Sequence, residues 1–398
     1  MTSRSGDATI FVHEVGLVCA LGEGSEAARR ARSAQPPALA QTSPFWPRPL
    51  PQGLVPGEPP SLRDHPPHHR TRCNALLLAA YRQIESAVRR AVAAHGPARV
   101  ALLVGTSTSG IGESQSAFAR RDAAGRLPAD FSLGQQALGT PADFLRDVTG
   151  IAGPAYVIST ACTSAPKALA SAARLLRAGI ADVVVAGGVD ALNGYTIAGF
   201  ASLECVSGRA CNPMSANRDG INIGEGAGLF VLSREPSDVT LAGWGESSDA
   251  HHFSAPDPEG RGALEAMRAA LTSARLAPRD IDYVNLHGTA TPQNDAMESR
   301  AIAALFGTDV PCSSTKPLTG HALGAAGAVE AAFCVHLLRE PGDFALPPHW
   351  WDGVADPALP PLHLVAPGET LGRAPRRVMS NSFAFGGSNA SLILERHS

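Results

Sequence analysis

A single cysteine, Cys162, stands where the sequence changes character. AYVIST (155–160) is apolar and β-branched, whereas SAPKALASAARLLRAG (164–179) reads as an alanine- and leucine-rich helix. The first N–H groups of a helix have no internal partner, and the helix dipole adds partial positive charge there. A thiol at that seam is biased toward thiolate, the form in which sulfur is a nucleophile. Small residues also fill tight strand-to-helix junctions without chemistry, so the cysteine alone decides nothing. Three distant stretches add polar residues where plain core would have none. NLHGTATPQNDAMESRAI (285–302) ends a strand at His287 and follows it with Thr289 and Thr291. SSTKPLTGHALGAAGAVEAAF (313–333) sets Lys316 and His321 ahead of a glycine- and alanine-rich helix start, and MSNSFAFGGSNASLILE (379–395) places Phe383 and Phe385 before paired glycines. A histidine or a glycine pair taken alone reads equally as core or turn. Lysine usage sharpens the second stretch: of 33 lysines and arginines only Lys167 and Lys316 are lysine, so a retained lysine points to a compact ammonium rather than a planar fork. Lys167 reads equally as a helix-surface charge.

The elements that must position these residues alternate along the chain. Short apolar runs occur at 99–106, 155–160, 181–188, 228–232, 282–288 and 390–395, separated by helical patterns such as 74–94 and 262–276, the latter ended by Pro278. Strands separated by helices of this length imply α/β layering, since parallel strands need crossovers that cover the sheet. Residues 33–69 are proline-dense and read as a long surface loop, and a second irregular stretch precedes the last strands. Two halves, 1–240 and 241–398, each hold their own strand–helix alternation.

Composition bounds the function classes. With 398 residues and 44% hydrophobic content the chain can bury a large core. A net charge of -3 and a pI near 6.5 give no global field for nucleic acid or an anionic membrane. Seven cysteines without a C-x-x-C pair argue against a disulfide framework and for a reduced, cytoplasmic setting. The amino-terminal run MTSRSGDATIFVHEVGLVCALG is interrupted by His13 and Glu14, which suits a first core strand better than a signal peptide, and no stretch approaches a membrane span.

TACTSA around Cys162, GINIGEGAG (220–228), HGTATP at His287, STKPLTGHALGAAGAVEA and NSFAFGGSN together resemble the β-ketoacyl-acyl carrier protein synthases of the I/II type, condensing enzymes of the thiolase fold. The motifs keep the family's order and spacing over nearly the whole chain. The resemblance implies a duplicated α-β-α-β-α architecture with two mixed five-stranded sheets, usually as a dimer. It implies Cys162 as acyl-accepting nucleophile, His287 and His321 as the pair facing it, and Lys316 as the lysine that orients the site. Glu330 matches the family's buried glutamate, and Asp295 and Glu298 match acidic supports of the lysine and histidine loops. Thr289 and Thr291 correspond to threonines that bond the phosphopantetheine arm. Phe385 resembles the gating phenylalanine whose N–H joins that of Cys162 in the oxyanion hole, with Phe383 beside it.

The implied reaction is decarboxylative condensation of an acyl group on Cys162 with a malonyl group on acyl carrier protein. Both imidazoles would then donate from Nε2, their other nitrogens satisfied by protein acceptors. No metal or organic cofactor is needed beyond the carrier's own phosphopantetheine, and the 34-residue gap between the histidines disfavours zinc. The implied partners are an acyl carrier protein and a second subunit, in a homodimer or a heterodimer with a ketosynthase-like chain. Arg70 and Arg72 match family positions for carrier contact, with Arg120 and Arg121 as further candidates.

Some positions depart from the common pattern: Ala384 where glycine is usual, CNPMSA from Cys211, the loop VGTSTSGIGES (104–114), expected to border the acyl pocket, and residues 33–69. They leave fatty-acid elongation and a polyketide or aryl polyene pathway both open. A non-catalytic, chain-length-factor-like subunit is the alternative, though such subunits typically lack the nucleophile. A thiolase would need a second cysteine near the tail, a ketosynthase III-like enzyme an asparagine at 321. GEGAG lacks the flanks of a dinucleotide site.

Overall fold

Alternation in β3 (Val100–Gly105) sets the layering: Ala101 and Leu103 point to one apolar cluster, Val100, Leu102 and Val104 to another. The structure, a computed structural model, describes residues 8–342 and 344–397. The first half contains β1 (Phe11–Cys19), β2 (Gly22–Glu23), α1 (Gly24–Ala31), α2 (Arg72–His95), β3, α3 (Ile111–Ala119), α4 (Thr140–Thr149), β4 (Ala155–Ile158), α5 (Ser164–Arg177), β5 (Val183–Asp190), α6 (Gly194–Ser202) and β6 (Gly226–Ser233). The second contains β7 (Val239–Ser248), α7 (Arg261–Ala274), β8 (Tyr283–Asn285), α8 (Pro292–Phe306), β9 (Cys312–Ser313), α9 (Lys316–Thr319), α10 (Ala326–Arg339), β10 (Arg377–Ala384) and β11 (Ser388–Arg396). The expected first strand is β1; residues 1–7 of that expectation lie outside the described residues.

Strand order is β4-β3-β5-β6-β1 in one sheet and, running outward from the other, β9-β8-β10-β11-β7. Replacing β1, β3, β4, β5 and β6 by β7, β8, β9, β10 and β11 converts one order into the other, so the duplication is written in the topology. Both sheets are mixed, with parallel pairs toward one edge and antiparallel pairs toward the other. They are not separate: β1 and β7 pair through Phe11–Thr240 and Val12–Val239, which joins them edge to edge.

Alanine-rich α5 and α10 fill the middle layer, α2 and α4 cover the outer face of the first sheet, and α7 and α8 that of the second. Small residues are required at the centre because backbones approach closely. A Cβ on Gly105 would lie 2.4 Å from the Ala165 nitrogen, and one on Gly188 would lie 2.6 Å from the Ala165 Cβ.

Residues 33–69 add anchoring to the expected loop. They form no strand or helix beyond a short 3-10 turn and single bridges, as expected of a long surface loop, but the loop is anchored by buried apolar residues. Leu50 packs with Leu192, Ile197, Ile221, Ile223 and Leu323, and Phe45, Trp46 and Leu54 pack against that cluster. Prolines prevent ladders but leave apolar side chains free to bury.

Candidate active site

The chain leaves β4 at Ile158 and enters α5 at Ser164, and Ala161 turns it with φ 52°. The Ser164 hydroxyl accepts from the Thr160 N–H at 2.9 Å and donates to the Ala161 carbonyl at 2.6 Å, fastening the corner that carries Cys162. Cys162 is buried, and its Sγ lies 3.0 Å from His321 Nε2. Burial here works against the thiolate that the helix start would favour. Burial pushes the thiol up to about 12, against a downward pull from Lys316 and with further upward pushes from Asp190 and Glu330. The resting sulfur carries its proton beside a ring nitrogen.

His287 lies two residues beyond β8 rather than within it. Its ring stands edge-on to that of His321, centroids 5.2 Å apart at 82°, and edge-on to Phe383 at 6.2 Å. Burial first, and the Lys316 charge second, hold both imidazoles well below the usual histidine range, so both are neutral at pH 7. Lys316, at the start of α9, directs its Nζ to Glu330 Oε1 at 2.5 Å, the His287 carbonyl at 2.5 Å and His287 Nδ1 at 3.4 Å. An ammonium donates, so His287 Nδ1 accepts and the ring proton sits on Nε2. This partner is a donor, not the acceptor that sequence reasoning expected. His321 Nδ1 has no partner among the described residues.

Backbone contacts fix both histidines. Glu298 takes the N–H of His287 at 2.7 Å and of Gly288 at 2.6 Å. Asp295 takes the N–H of Ala290 at 3.2 Å and of Met214 at 2.7 Å, tying the 287–291 loop to residue 214. Both carboxylates are fully buried on the first turns of α8. The His321 N–H donates to the Asn222 carbonyl at 2.6 Å, and its own carbonyl accepts from Gly224 at 2.9 Å.

One cavity opens on the sulfur. His287, His321, Thr289, Thr291, Phe383 and Phe385 all line it, together with Phe200, Cys205, Ile221 and Ala384. Thr289 and Thr291 hydroxyls lie 3.0 Å apart, and the ring of half-buried Phe385 lies tilted against that of Phe200, centroids 5.5 Å apart at 50°. Loop 104–114 is absent from the lining of this cavity; Ser109, Gly112 and Glu113 border another depression with Arg70 and Arg72. Cys162, His287 and His321 are the only three-member group of metal-type donors that converges among the described residues, their atoms within 4.8 Å of one another. Lys316 donating to His287 Nδ1 turns that ring's Nε2 into a hydrogen-bond donor, which suits a substrate oxygen better than a cation.

The arginine pair separates. Arg72 spends its guanidinium on fully buried Glu225, at 2.7 and 2.5 Å, and lies 5.4 Å from the Phe45 ring centroid; it is a structural clamp, not a free contact. Arg70 is exposed and bonds the His65 carbonyl through Nε. Arg120 pairs with Asp130, Arg121 lies over Phe118, and Lys167 faces Glu246 at 3.9 Å. Sequence reasoning missed the structural work of Asn222 and Glu225, although GINIGEGAG was visible as a motif. It also missed Asp190, whose donors come from two distant segments, 106–108 and Gly324.

The family model described as β-ketoacyl synthase, N-terminal domain, matches residues 66–237, and the C-terminal domain of the same family matches 239–347. The 3-oxoacyl-acyl-carrier-protein synthase 2 of Rhizobium meliloti (strain 1021) is 35% identical over 316 residues, 74% of each chain. The mitochondrial 3-oxoacyl-acyl-carrier-protein synthase of Arabidopsis thaliana is 38% identical over 61% of this chain, a match that spans 57% of that relative's length. A chain of the ketosynthase (ApeO) in complex with its chain length factor (ApeC) from Xenorhabdus doucetiae superposes with a TM-score of 0.92 at 43% identity, each chain covered in full. By motif order, duplicated thiolase-fold topology and these likenesses, the chain belongs to the β-ketoacyl synthase family, in its β-ketoacyl-acyl carrier protein synthase I/II branch.

Proposed function

We propose that this chain catalyses decarboxylative Claisen condensation between an acyl group held on Cys162 and malonyl-acyl carrier protein. The observation that carries the reading is the convergence of one thiol and two neutral imidazoles on one cavity, with Sγ 3.0 Å from His321 Nε2. In acyl transfer, the Cys162 proton passes to His321 Nε2, sulfur attacks the carrier thioester, and the departing carrier thiolate takes the proton. The N–H groups of Cys162 and Phe385 are the proposed oxyanion donors, each worth about 2.7–4 kcal/mol in comparable sites. In condensation, the malonyl carboxylate leaves as carbon dioxide and its electron pair passes to the thioester enolate. The enolate oxygen receives hydrogen bonds from Nε2 of His287 and His321. The carbanion then attacks the acyl thioester and the Cys162 sulfur leaves as thiolate, which takes a proton from solvent to restore the resting thiol. Lys316 keeps the His287 proton on Nε2, and the unpartnered His321 Nδ1 leaves that ring able to accept first and donate later.

The proposed site divides its work between the halves, 1–240 supplying Cys162 and 241–398 the histidines, lysine and phenylalanine gate. Thr289 and Thr291 would bond the pantetheine arm, and no metal or organic cofactor enters the scheme. The partners are an acyl carrier protein, contacted through Arg70, and a second ketosynthase-like subunit. β4 supports the latter: it is the open edge of its sheet and Tyr156 is exposed on it. Full-length likeness to a chain of a ketosynthase–chain length factor complex favours polyketide or aryl polyene work over fatty-acid elongation. The converging thiol and imidazoles support the catalytic role over the chain-length-factor role. No helix among the described residues is long and apolar enough to cross a membrane, and all seven cysteines are free; the proposed compartment is the cytoplasm. The test separates the half-reactions: Cys162→Ala should retain malonyl-carrier decarboxylation and His321→Ala should lose it, whereas decarboxylation at the wild-type rate in His321→Ala would refute the scheme.

A further inference from the structure

We infer that Asp190, at the end of β5, is the positioning residue that holds His321 in register with the Cys162 sulfur, using the loop 106–108 as its abutment. The inference rests on the condensing role proposed above. Asp190 is fully buried and accepts from six uncharged donors. The hydroxyls of Thr106, Ser107 and Thr108 reach it at 2.6, 2.5 and 2.9 Å, and the N–H groups of Ser107 and Thr108 at 3.0 Å each. The sixth donor is the N–H of Gly324, at 2.6 Å, three residues past His321.

These bonds account for the loop 104–114, none of whose residues lines the cavity at the sulfur. His321 is held upstream by its own N–H to Asn222 and its carbonyl to Gly224. Downstream the chain turns through Leu323 at φ 50°, whose side chain packs in the cluster with Leu50, and the Gly324 N–H is the point at which this turn is tied to β5. Gly324 is also sterically matched to the carboxylate: a Cβ there would lie 2.6 Å from Asp190 Oδ2 and 2.7 Å from the Ser107 nitrogen. A buried anion without a cation is stable only while its donors stay in place, so the carboxylate commits three segments to one arrangement. The same charge opposes ionisation of Cys162, which gives the residue a signature that packing alone would not have.

Asp190→Asn replaces one acceptor by a donor among donors, and Gly324→Ala pushes the histidine loop away while keeping the carboxylate. Both should lower kcat for malonyl-carrier decarboxylation on the order of 10- to 100-fold, as a sub-ångström to 1 Å displacement does. KM should stay within about twofold, since the loss falls on the transition state. Iodoacetamide labelling of Cys162, read by peptide mass spectrometry, should accelerate in Asp190→Asn and not in Gly324→Ala. If Asp190→Asn does not fold, Gly324→Ala decides by the kcat criterion. Wild-type kcat in the folded variants, or a loss confined to KM, overturns the inference. Failure of the unsubstituted protein to decarboxylate malonyl carrier would instead overturn the function proposed above and is distinguishable for that reason.

Discussion

Cys162 and Lys316 show how much a residue's neighbours decide. The junction of strand and helix suggested a thiolate, yet desolvation at a buried corner is a larger influence than the Lys316 charge and pushes the thiol up to about 12. Because the folded value lies above the free-thiol value, the reactive anion is scarce at neutral pH and grows as pH rises. Iodoacetamide labelling of Cys162 in His321→Ala, where no ring can take the proton, should therefore rise about tenfold per pH unit between pH 8 and 10. A plateau below pH 8.5 would mean that the helix start does hold a thiolate. The four central residues were legible in the sequence because each sits in a short local motif. Arg72 was misread because its partner Glu225 lies 153 positions away, and Asp190 was invisible because its six donors gather only on folding.

At the scale of elements, the site depends on how closely α5 can approach β3 and β5. Gly105 and Gly188 meet the first residues of α5 with no room for a methyl group, and the approach places Cys162 under the His321 loop. Gly105→Ala meets backbone rather than a flexible side chain, so it should cost about 1–3 kcal/mol of stability as an overpacked site does. It should also slow acyl loading by shifting the corner at 160–164. Denaturant unfolding and a loading assay check both, and unchanged values for either would show that the helix can move away freely. Helix and strand positions followed from apolar periodicity, and the helices expected at 74–94 and 262–276 appear as α2 and α7. The anchoring of loop 33–69 did not, because proline density signals missing ladders but not whether Phe45, Trp46 and Leu50 find a core.

For the whole molecule, duplication brings two sheets of equivalent topology together, with the thiol and the imidazoles converging on one cavity. The strand order of the second half repeats the first, and the two sheets meet through two residue pairs of β1 and β7. The far edge, β4, keeps its outer backbone groups unpaired by any strand described here. Tyr156→Asp places a charge on that edge and should shift the assembly toward monomer in analytical ultracentrifugation, with the monomer's fold intact by circular dichroism. An unchanged assembly would move the subunit contact elsewhere. The central claim concerns the acyl group itself. Intact-protein mass spectrometry after incubation with an acyl-carrier thioester should show a single added acyl group on the unaltered chain and none on Cys162→Ala; an acylated alanine variant, or no acylation of the unaltered chain by any carrier-bound acyl group, would contradict it.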